Sequence, residues 1–297
     1  MKPAKTAVFP LLFLLSAIAS SQDFDRVEIT TQKVTDNIYM LQGQGGNIGV
    51  LVGEDGTLII DDQFAPLTEK IKTAIAKISD HPAQFVLNTH WHYDHTDGNE
   101  NFGEAGAIIV SHENSRERMS KDQVLAMTGQ KQEAYDDKGL PKITFAESMA
   151  FHYNGETVNV FHVGPAHTDG DAIIHFVEAN VIHTGDVFVR YGLPFIDQPN
   201  GGNVEGMIAF VDAVATLADD NTKIIPGHGA LSNKKDLLSY RAMLQTITDT
   251  IKQEMDKGKS LQQITDAKPL SQYPNGFVTQ DAFVKIVYDS INANRGK

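Results

Sequence analysis

Hydrophobic residues along the chain fall into short β-type runs that alternate with longer segments of helical spacing. Runs typical of strands cover residues 38–41, 48–52, 57–61, 85–89, 107–110, 158–163, 172–177, 180–184 and 223–226. Apolar positions three and four residues apart predict helices over 67–78, 204–218, 234–257 and 279–294. Strands mixed with helices in this order predict sheets that are covered by helices. No low-complexity linker divides the chain, which favours one domain.

Two segments between these elements are harder to place. Residues 113–139 are polar, charged and predicted to be helical, and an exposed, solvated face is the favoured interpretation. The alternative is a rim or lid over a functional site. The Gly- and Pro-containing loop from Tyr191 to Asn203 is the other segment, and it is a candidate wall for a pocket through Phe195 and Ile196.

The first residues have the pattern of a secretory signal peptide. Two lysines precede an apolar run from Val8 to Leu15, and Ala17–Ala19 offers a small-x-small cleavage site. We therefore expect a signal peptide over residues 1–19 and a mature domain over 20–297. The expected location is periplasmic or secreted, with no stable membrane anchor after cleavage. An uncleaved anchor or a buried N-terminal helix is the alternative.

The charge balance and the cysteine count exclude several classes of function. The chain has 25 basic and 38 acidic residues, a formal net charge of −13, so it lacks the basic surplus that neutralises nucleic-acid phosphates. It contains no cysteine. Disulfides, thiolate catalysis and cysteine-ligated metals are therefore excluded. A small-molecule substrate remains the expected partner.

The segment His90-Trp91-His92-Tyr93-Asp94-His95 carries the strongest chemical signal. Four side chains that bind metals fall within six residues. If the strand before it continues, His90, His92 and Asp94 point one way and His95 points another. One short segment can then supply two neighbouring metal positions, which is typical of a two-metal hydrolytic site.

Three further polar residues stand where a hydrophobic strand ends beside a glycine. They are His167 in Gly164-Pro165-Ala166-His167-Thr168-Asp169-Gly170-Asp171, Asp186 in Gly185-Asp186, and His228 in Gly227-His228-Gly229. Binding residues are often held on loops at strand ends by a rigid scaffold. Together with the six-residue motif, these positions predict one shared site.

These motifs, taken in chain order, resemble those of the metallo-β-lactamase superfamily over about residues 35–230. The resemblance implies an α/β (α+β) fold, a four-layer αβ/βα sandwich of two mixed β-sheets flanked by helices, with a dinuclear site at one edge. It implies that His90, His92 and His167 hold a first metal and that Asp94, His95 and His228 hold a second. Asp186 resembles the carboxylate that bridges both ions in the glyoxalase II-like and lactonase-like branches.

The resemblance also implies a reaction and a metal. Two Zn²⁺ ions are expected, with iron or manganese as alternatives. A hydroxide shared by the ions attacks a carbonyl carbon, and Asp94 is the expected catalytic residue that orients the nucleophile and passes on its proton. Asp171 is a candidate partner for a ligand imidazole, with a turn-capping role as the alternative. Trp91 and Tyr93 are expected to pack against the sheet rather than touch the substrate.

The ligand set also narrows the choice of activity. The main subclass of clinical β-lactamases carries a cysteine in the second metal site, and another subclass lacks the bridging aspartate. Asp186 therefore favours hydrolysis of an ester, a thioester or a lactone, while the expected export keeps a true metallo-β-lactamase open. A second class also stays open, because persulfide dioxygenases of this superfamily use one iron held by two histidines and a carboxylate.

Overall fold

The computed structural model describes residues 23–125 and 129–295, so the expected leader, residues 1–19, lies outside the described residues. The strands are β1 (Thr30–Lys33), β2 (Ile38–Gln42), β3 (Ile48–Gly53), β4 (Gly56–Ile60), β5 (Ala83–Leu87), β6 (Ile108–His112), β7 (Gln123–Leu125), β8 (Gln130–Gln132), β9 (Ile143–Phe145), β10 (Ser148–Tyr153), β11 (Glu156–Phe161), β12 (Ile173–Phe176), β13 (Val181–His183), β14 (Lys223–Ile225) and β15 (Ser232–Asn233). The α-helices are α1 (Thr68–Ile75), α2 (Tyr93–Thr96), α3 (Asn99–Glu104), α4 (Glu113–Met119), α5 (Val204–Leu217), α6 (Lys234–Asp256), α7 (Leu261–Asp266) and α8 (Gln280–Arg295).

Both large sheets are mixed. The first has the order β1-β2-β3-β4-β5-β6-β9, antiparallel from β1 to β4 and parallel from β4 to β9. The second has the order β10-β11-β12-β13-β14-β15, and β13 and β14 are its one parallel pair among the described strands. Parallel neighbours need a crossover, and helices α1 and α5 supply two of them.

The two sheets pack face to face over a central hydrophobic core. Met40, Leu51 and Ile60 of the first sheet meet Val160 and Phe176 of the second in one buried cluster. Because successive strand residues point to opposite faces, the neighbours of these residues point outward and are covered by helices. The fold is therefore the four-layer sandwich expected from the sequence.

Helices cover both outer faces. Helices α1 and α3 pack on the first sheet through Ile71 and Phe102. Helices α5, α6 and α8 pack on the second sheet through Val211, Leu244 and Phe283. Within the described residues, no helix combines the length and the apolar character that crossing a bilayer requires.

The helix expected over residues 113–139 is wrong for most of its length. Helix α4 ends at Met119, and the hairpin of β7 and β8 follows. Contacts with the rest of the fold explain the difference: Gln132 is buried and its amide donates to the carbonyl of Trp91 at 3.3 Å. Polarity along the chain therefore did not mark exposure here. Pattern reasoning also missed the strands β1, β9, β10 and β15 and the short helices α2, α3 and α7.

Candidate metal centre

The seven candidate ligands meet at one edge of the sandwich, on the loops that leave β5, β11, β13 and β14. Their ligand atoms form three overlapping groups, within each of which all atoms lie within 4.8 Å of one another. The groups are His90, His92 and His167; His90, His95 and Asp186; and Asp94, His95 and His228. The triad of His90, His92 and His167, called the first group below, matches the predicted ligands of one metal, and the triad of Asp94, His95 and His228, called the second group, matches those of the other. The remaining triad contains Asp186 and shares one histidine with each of the two groups.

The backbone of the six-residue motif differs from the strand continuation that the sequence predicted. His92 is extended, with φ −62° and ψ 145°, and it is the residue that precedes helix α2. Asp94 and His95 therefore lie on a helical turn. The expectation that Asp94 points the same way as His90 and His92 was therefore wrong, because Asp94 lies with His95 and His228 and not with His90 and His92.

Asp61 fixes the ring orientation of two histidines. Its Oδ2 accepts a hydrogen bond from Nδ1 of His95 at 2.7 Å and from the hydroxyl of Thr89 at 2.8 Å. Because that hydroxyl donates to Asp61, it accepts from Nδ1 of His90 at 3.0 Å. In both imidazoles Nδ1 is therefore held by a hydrogen bond, and Nε2 is directed into the cluster. Asp61 is fully buried and has a φ of 63°, a strained conformation of the kind found at functional sites.

The other two histidines of the first group are oriented in the same manner. Nε2 of His92 lies 3.0 Å from Oδ2 of Asp197, and Nδ1 of His167 lies 2.8 Å from the carbonyl oxygen of Phe195. When both outer nitrogens donate, Nδ1 of His92 and Nε2 of His167 face each other at 2.8 Å as two lone pairs. Such a contact is repulsive unless a proton or a cation lies between the rings.

Unpartnered polar atoms indicate that the cluster fits a divalent cation. Nε2 of His90 and Oδ1 of Asp186 are buried and have no hydrogen-bond partner. A buried polar atom without a partner costs roughly 1–3 kcal/mol, which coordination of a cation would remove. Imidazole nitrogens and carboxylate oxygens are ligands that zinc and iron accept.

Two glycines make room for the ligands. A Cβ atom on Gly46 would lie 2.2 Å from Cε1 of His95, and one on Gly227 would lie 2.0 Å from Oδ1 of Asp186. Any side chain at either position would displace a candidate ligand. Gly227 belongs to the motif around His228, whereas nothing in the sequence singled out Gly46.

Charges within the cluster separate it into two parts. Burial and the neighbouring His92 lower the pKa of His167 to about 4. Burial lowers the pKa of His228 as well, but Asp186 and Asp94 raise it to about 10. Burial raises the pKa of Asp94, yet His95 and His228 lower it to about 2. The second group therefore favours positive charge beside its carboxylates, whereas His167 of the first group favours its neutral form.

A cavity of about 470 Å³ opens onto the cluster. Its lining residues are Gln44, Gly45, Phe64, His92, Tyr93, Asp94, Leu125, Gln130, Asp186, Tyr191, Phe195, His228, Gly276 and Phe277. The expected contribution of the 191–203 loop holds for Phe195, while Ile196 is buried away from the lining. Tyr93 packs against the outer cluster of the first sheet, as expected, and it also lines the cavity. Trp91 is fully buried, as expected.

The 113–139 segment reaches the cavity through Leu125 and Gln130. For these two residues, the interpretation of the segment as a rim over the site fits better than its interpretation as an exposed, solvated face. Asp171 does not contact a ligand ring: its carboxylate accepts from the backbone and the hydroxyl of Thr168, both at 2.8 Å. It caps the turn that carries His167, and burial raises its pKa to about 7.

Sequence reasoning missed the residues that orient the histidines. Asp61 was visible only as part of an aspartate pair at the end of β4, and Asp197 only as a loop residue. Asp197 is also held by the amide of Asn200 at 2.8 Å, and Arg118 donates to that same Asn200 at 2.9 Å. The first group is thus tied to helix α4 by a continuous chain of hydrogen bonds.

Replacing Asp197 tests this connection. We expect Asp197→Ala to weaken metal binding by about 10–100-fold, because loss of the carboxylate frees the ring of His92 to rotate. Asp197→Asn keeps an acceptor oxygen and removes the charge, so we expect a smaller loss. Competition with a chromogenic zinc chelator measures both affinities. Equal affinity of wild type and Asp197→Ala would show that the carboxylate does not position His92.

The two-sheet sandwich and the His/Asp cluster at its edge define a protein class in which loops at one edge bind divalent metal. Residues 41–228 match the metallo-beta-lactamase superfamily, and the chain belongs to this superfamily of hydrolases. The family expectation from the motifs is therefore confirmed.

Among curated relatives, a hydroxyacylglutathione hydrolase from Pelagibacter ubique is 23% identical over 146 residues, which cover 49% of this chain and 51% of the relative. Another hydroxyacylglutathione hydrolase, from Polaromonas sp., is 26% identical over 199 residues, covering 62% of this chain and 66% of the relative. The matched part of the chain thus spans about half to two thirds of the length of these relatives.

Two solved structures illustrate the fold. A metallo-beta-lactamase from Pontibacter korlensis has a TM-score of 0.58 at 18% identity, covering 73% of this chain and 99% of the other. A stereoselective inverting sec-alkylsulfatase from Pseudomonas sp. has a TM-score of 0.66 at 15% identity, covering 88% of this chain and 50% of the other. At these identities the likeness shows the fold alone.

Proposed function

We propose that the protein is a dinuclear zinc hydrolase that cleaves an ester, thioester, lactone or lactam bond next to a carbonyl. The observation that carries this proposal is the position of Asp186 between the two ligand groups. Its Oδ1 lies 3.2 Å from Nε2 of His95 and 3.4 Å from Nε2 of His228, while its Oδ2 lies 3.7 Å from Nε2 of His167. Each oxygen therefore faces a different group, as a bridging carboxylate requires.

In this proposal His90, His92 and His167 hold one zinc ion, and Asp94, His95 and His228 hold the other. Bound zinc would polarise a carbonyl and lower the pKa of a water molecule toward neutrality. Asp94 lines the cavity, with 31% of its side chain exposed, and its Oδ2 lies 3.1 Å from Nε2 of His228. This carboxylate orients the attacking water through a hydrogen bond and takes up the proton that the water releases.

The cited relatives are named hydroxyacylglutathione hydrolases, which supports an acyl–glutathione bond as one candidate. A metallo-β-lactamase remains the alternative within the same class, because the reaction again begins at a carbonyl. The lack of cysteine and the presence of Asp186 favour esters, thioesters and lactones over β-lactams as substrates.

Metal analysis joined to a substrate panel tests the proposal. We expect about two zinc ions per chain and hydrolysis of at least one member of a panel of esters, thioesters, lactones and β-lactams. A chelator should remove the activity, and added zinc should restore it. Activity that survives complete removal of metal would contradict the proposal.

One observation favours a second candidate, a mononuclear iron oxidoreductase. His90, His95 and Asp186 form a buried group of two histidines and one carboxylate, the ligand set of many iron(II) oxygenases. The same metal analysis separates the candidates, since this one predicts about one iron ion per chain and consumption of oxygen with a persulfide substrate.

We also propose that the chain is exported and cleaved after Ala19, since the two early lysines, the apolar run from Val8 to Leu15 and the small residues Ala17 and Ala19 form a signal-peptide pattern. Mass spectrometry of the protein purified from the periplasm of a bacterial host tests this. A mature chain that begins at Ser20 is the expected result, and an intact chain in the cytoplasm would contradict it.

A further inference from the structure

We propose that the cavity selects uncharged substrates with an apolar arm and discriminates against substrates whose arm ends in a carboxylate. This inference rests on the proposed hydrolytic function and narrows its substrate class, because it disfavours the acyl–glutathione candidate, whose glutathione part carries carboxylates. Six lining residues present aromatic or aliphatic surface: Phe64, Tyr93, Leu125, Tyr191, Phe195 and Phe277. Among the described residues that line the cavity, none is lysine or arginine.

Two arginines near the site, one adjoining the lining residue Tyr191 and one donating to Asn200 beside Asp197, are already paired. Arg190, next to Tyr191, donates to the hydroxyl of Ser232 at 3.1 Å and pairs with Asp236 at 2.6 Å. Arg118 pairs with Asp169 at 2.6 Å. A carboxylate on a substrate arm would therefore leave water without gaining a guanidinium partner, and such desolvation is unfavourable.

Bound metal ions do not replace this missing partner. In the proposed reaction the reacting carbonyl occupies the metal centre, so the end of the arm lies away from it along the aromatic walls. The carboxylates of Asp94 and Asp186 offset part of the positive charge of the ions. The formal net charge of −13 further repels anions as they approach.

The wall for the apolar arm is built around Phe277. Its ring lies 6.1 Å from the ring of Phe195, yet 60% of the residue is exposed to solvent. The preceding Gly276 is packed so tightly that an added Cβ would lie 2.2 Å from the carbonyl oxygen of Leu193. The backbone therefore holds Phe277 beside the cavity, where an apolar arm would cover its exposed face.

A matched pair of substrates tests the inference on the zinc-loaded enzyme. The first is the mono-p-nitrophenyl ester of adipic acid, which has a free carboxylate. The second is the same ester with that carboxylate capped as a methyl ester. We expect kcat/KM at least about tenfold higher for the capped ester, because an unpaired buried charge is costly. Equal values, or a preference for the charged ester, would overturn the inference.

Two pairs of variants locate the selectivity. Gln44 is exposed and lines the cavity, so Gln44→Arg should raise kcat/KM for the charged ester, and the control Gln44→Met should not.

Phe277→Ala should lower kcat/KM for a hexanoate ester by a larger factor than for an acetate ester, and Phe277→Leu should largely preserve the ratio of the two kcat/KM values. An unchanged ratio in Phe277→Ala would show that the arm lies elsewhere.

A binding measurement separates failure of the inference from failure of the proposed function. Calorimetry with the corresponding amides, one charged and one capped, reports affinity whether or not the bond is cleaved. If neither ester is hydrolysed, calorimetry still decides the selectivity, and the substrate panel described above decides the proposed function. Tighter binding of the capped amide supports the inference, and equal or tighter binding of the charged amide overturns it.

Discussion

Asp94→Ala should reduce kcat/KM by at least about 10²–10⁴-fold for any substrate that the protein hydrolyses. The carboxylate is both a cavity-lining group and a member of the second ligand group, where its Oδ2 lies 3.1 Å from Nε2 of His228. Its removal takes away the group that orients water and one of three protein ligands. We therefore expect lost activity together with weaker binding of one metal ion, measured by steady-state kinetics and metal titration.

The folded state should survive this substitution, because the side chain of Asp94 is partly exposed and not part of the hydrophobic clusters. Asp36→Ala is a matched control: it removes an aspartate of a surface ion pair with Lys33, for which we expect no change in activity or metal content. Near-normal hydrolysis by Asp94→Ala, with an unchanged thermal unfolding midpoint, would refute the role proposed for this carboxylate.

The strands of the sandwich interior were predictable because their apolar runs are long and buried on both faces. All five residues of β4, for example, are buried. β10 was missed although Met149, Phe151 and Tyr153 stand at every second position, which is the period of a half-buried strand. The prediction of an exposed helix over residues 113–139 failed because Gln132 is polar yet buried, through contacts with distant residues that no local pattern encodes.

The candidate ligands were predictable because His90 to His95 lie together in the sequence and the others stand beside glycines at strand ends. The residues that orient them were not, because Asp61 is 34 residues from its partner His95 and Asp197 is 105 residues from His92. An aspartate in a loop has many ordinary roles, and only the folded chain shows which one receives an imidazole. Phe277 is a similar case, because the packing of the backbone alone places it at the cavity.

The two ligand groups can be separated by one substitution in each. His167 lies only in the first group and His228 only in the second. Each histidine supplies one of three ligands outside the shared Asp186, so His167→Ala and His228→Ala should each lower zinc from about two ions to about one per chain. Activity should be lost in both, because the proposed reaction needs both ions. The exposed His152 provides the control His152→Ala, which should retain full zinc content and activity.

The single tryptophan shows which ion remains. The ring of Trp91 lies 4.7 Å from that of His92, a first-group ligand, so its emission should change when zinc fills the first group. In a zinc titration we expect His228→Ala to keep this change and His167→Ala to lose most of it. Loss of both ions in either variant would mean that the groups fill as one unit. A fluorescence change of the same size in both variants would show that the assignment of His167 and His228 to separate ions is wrong.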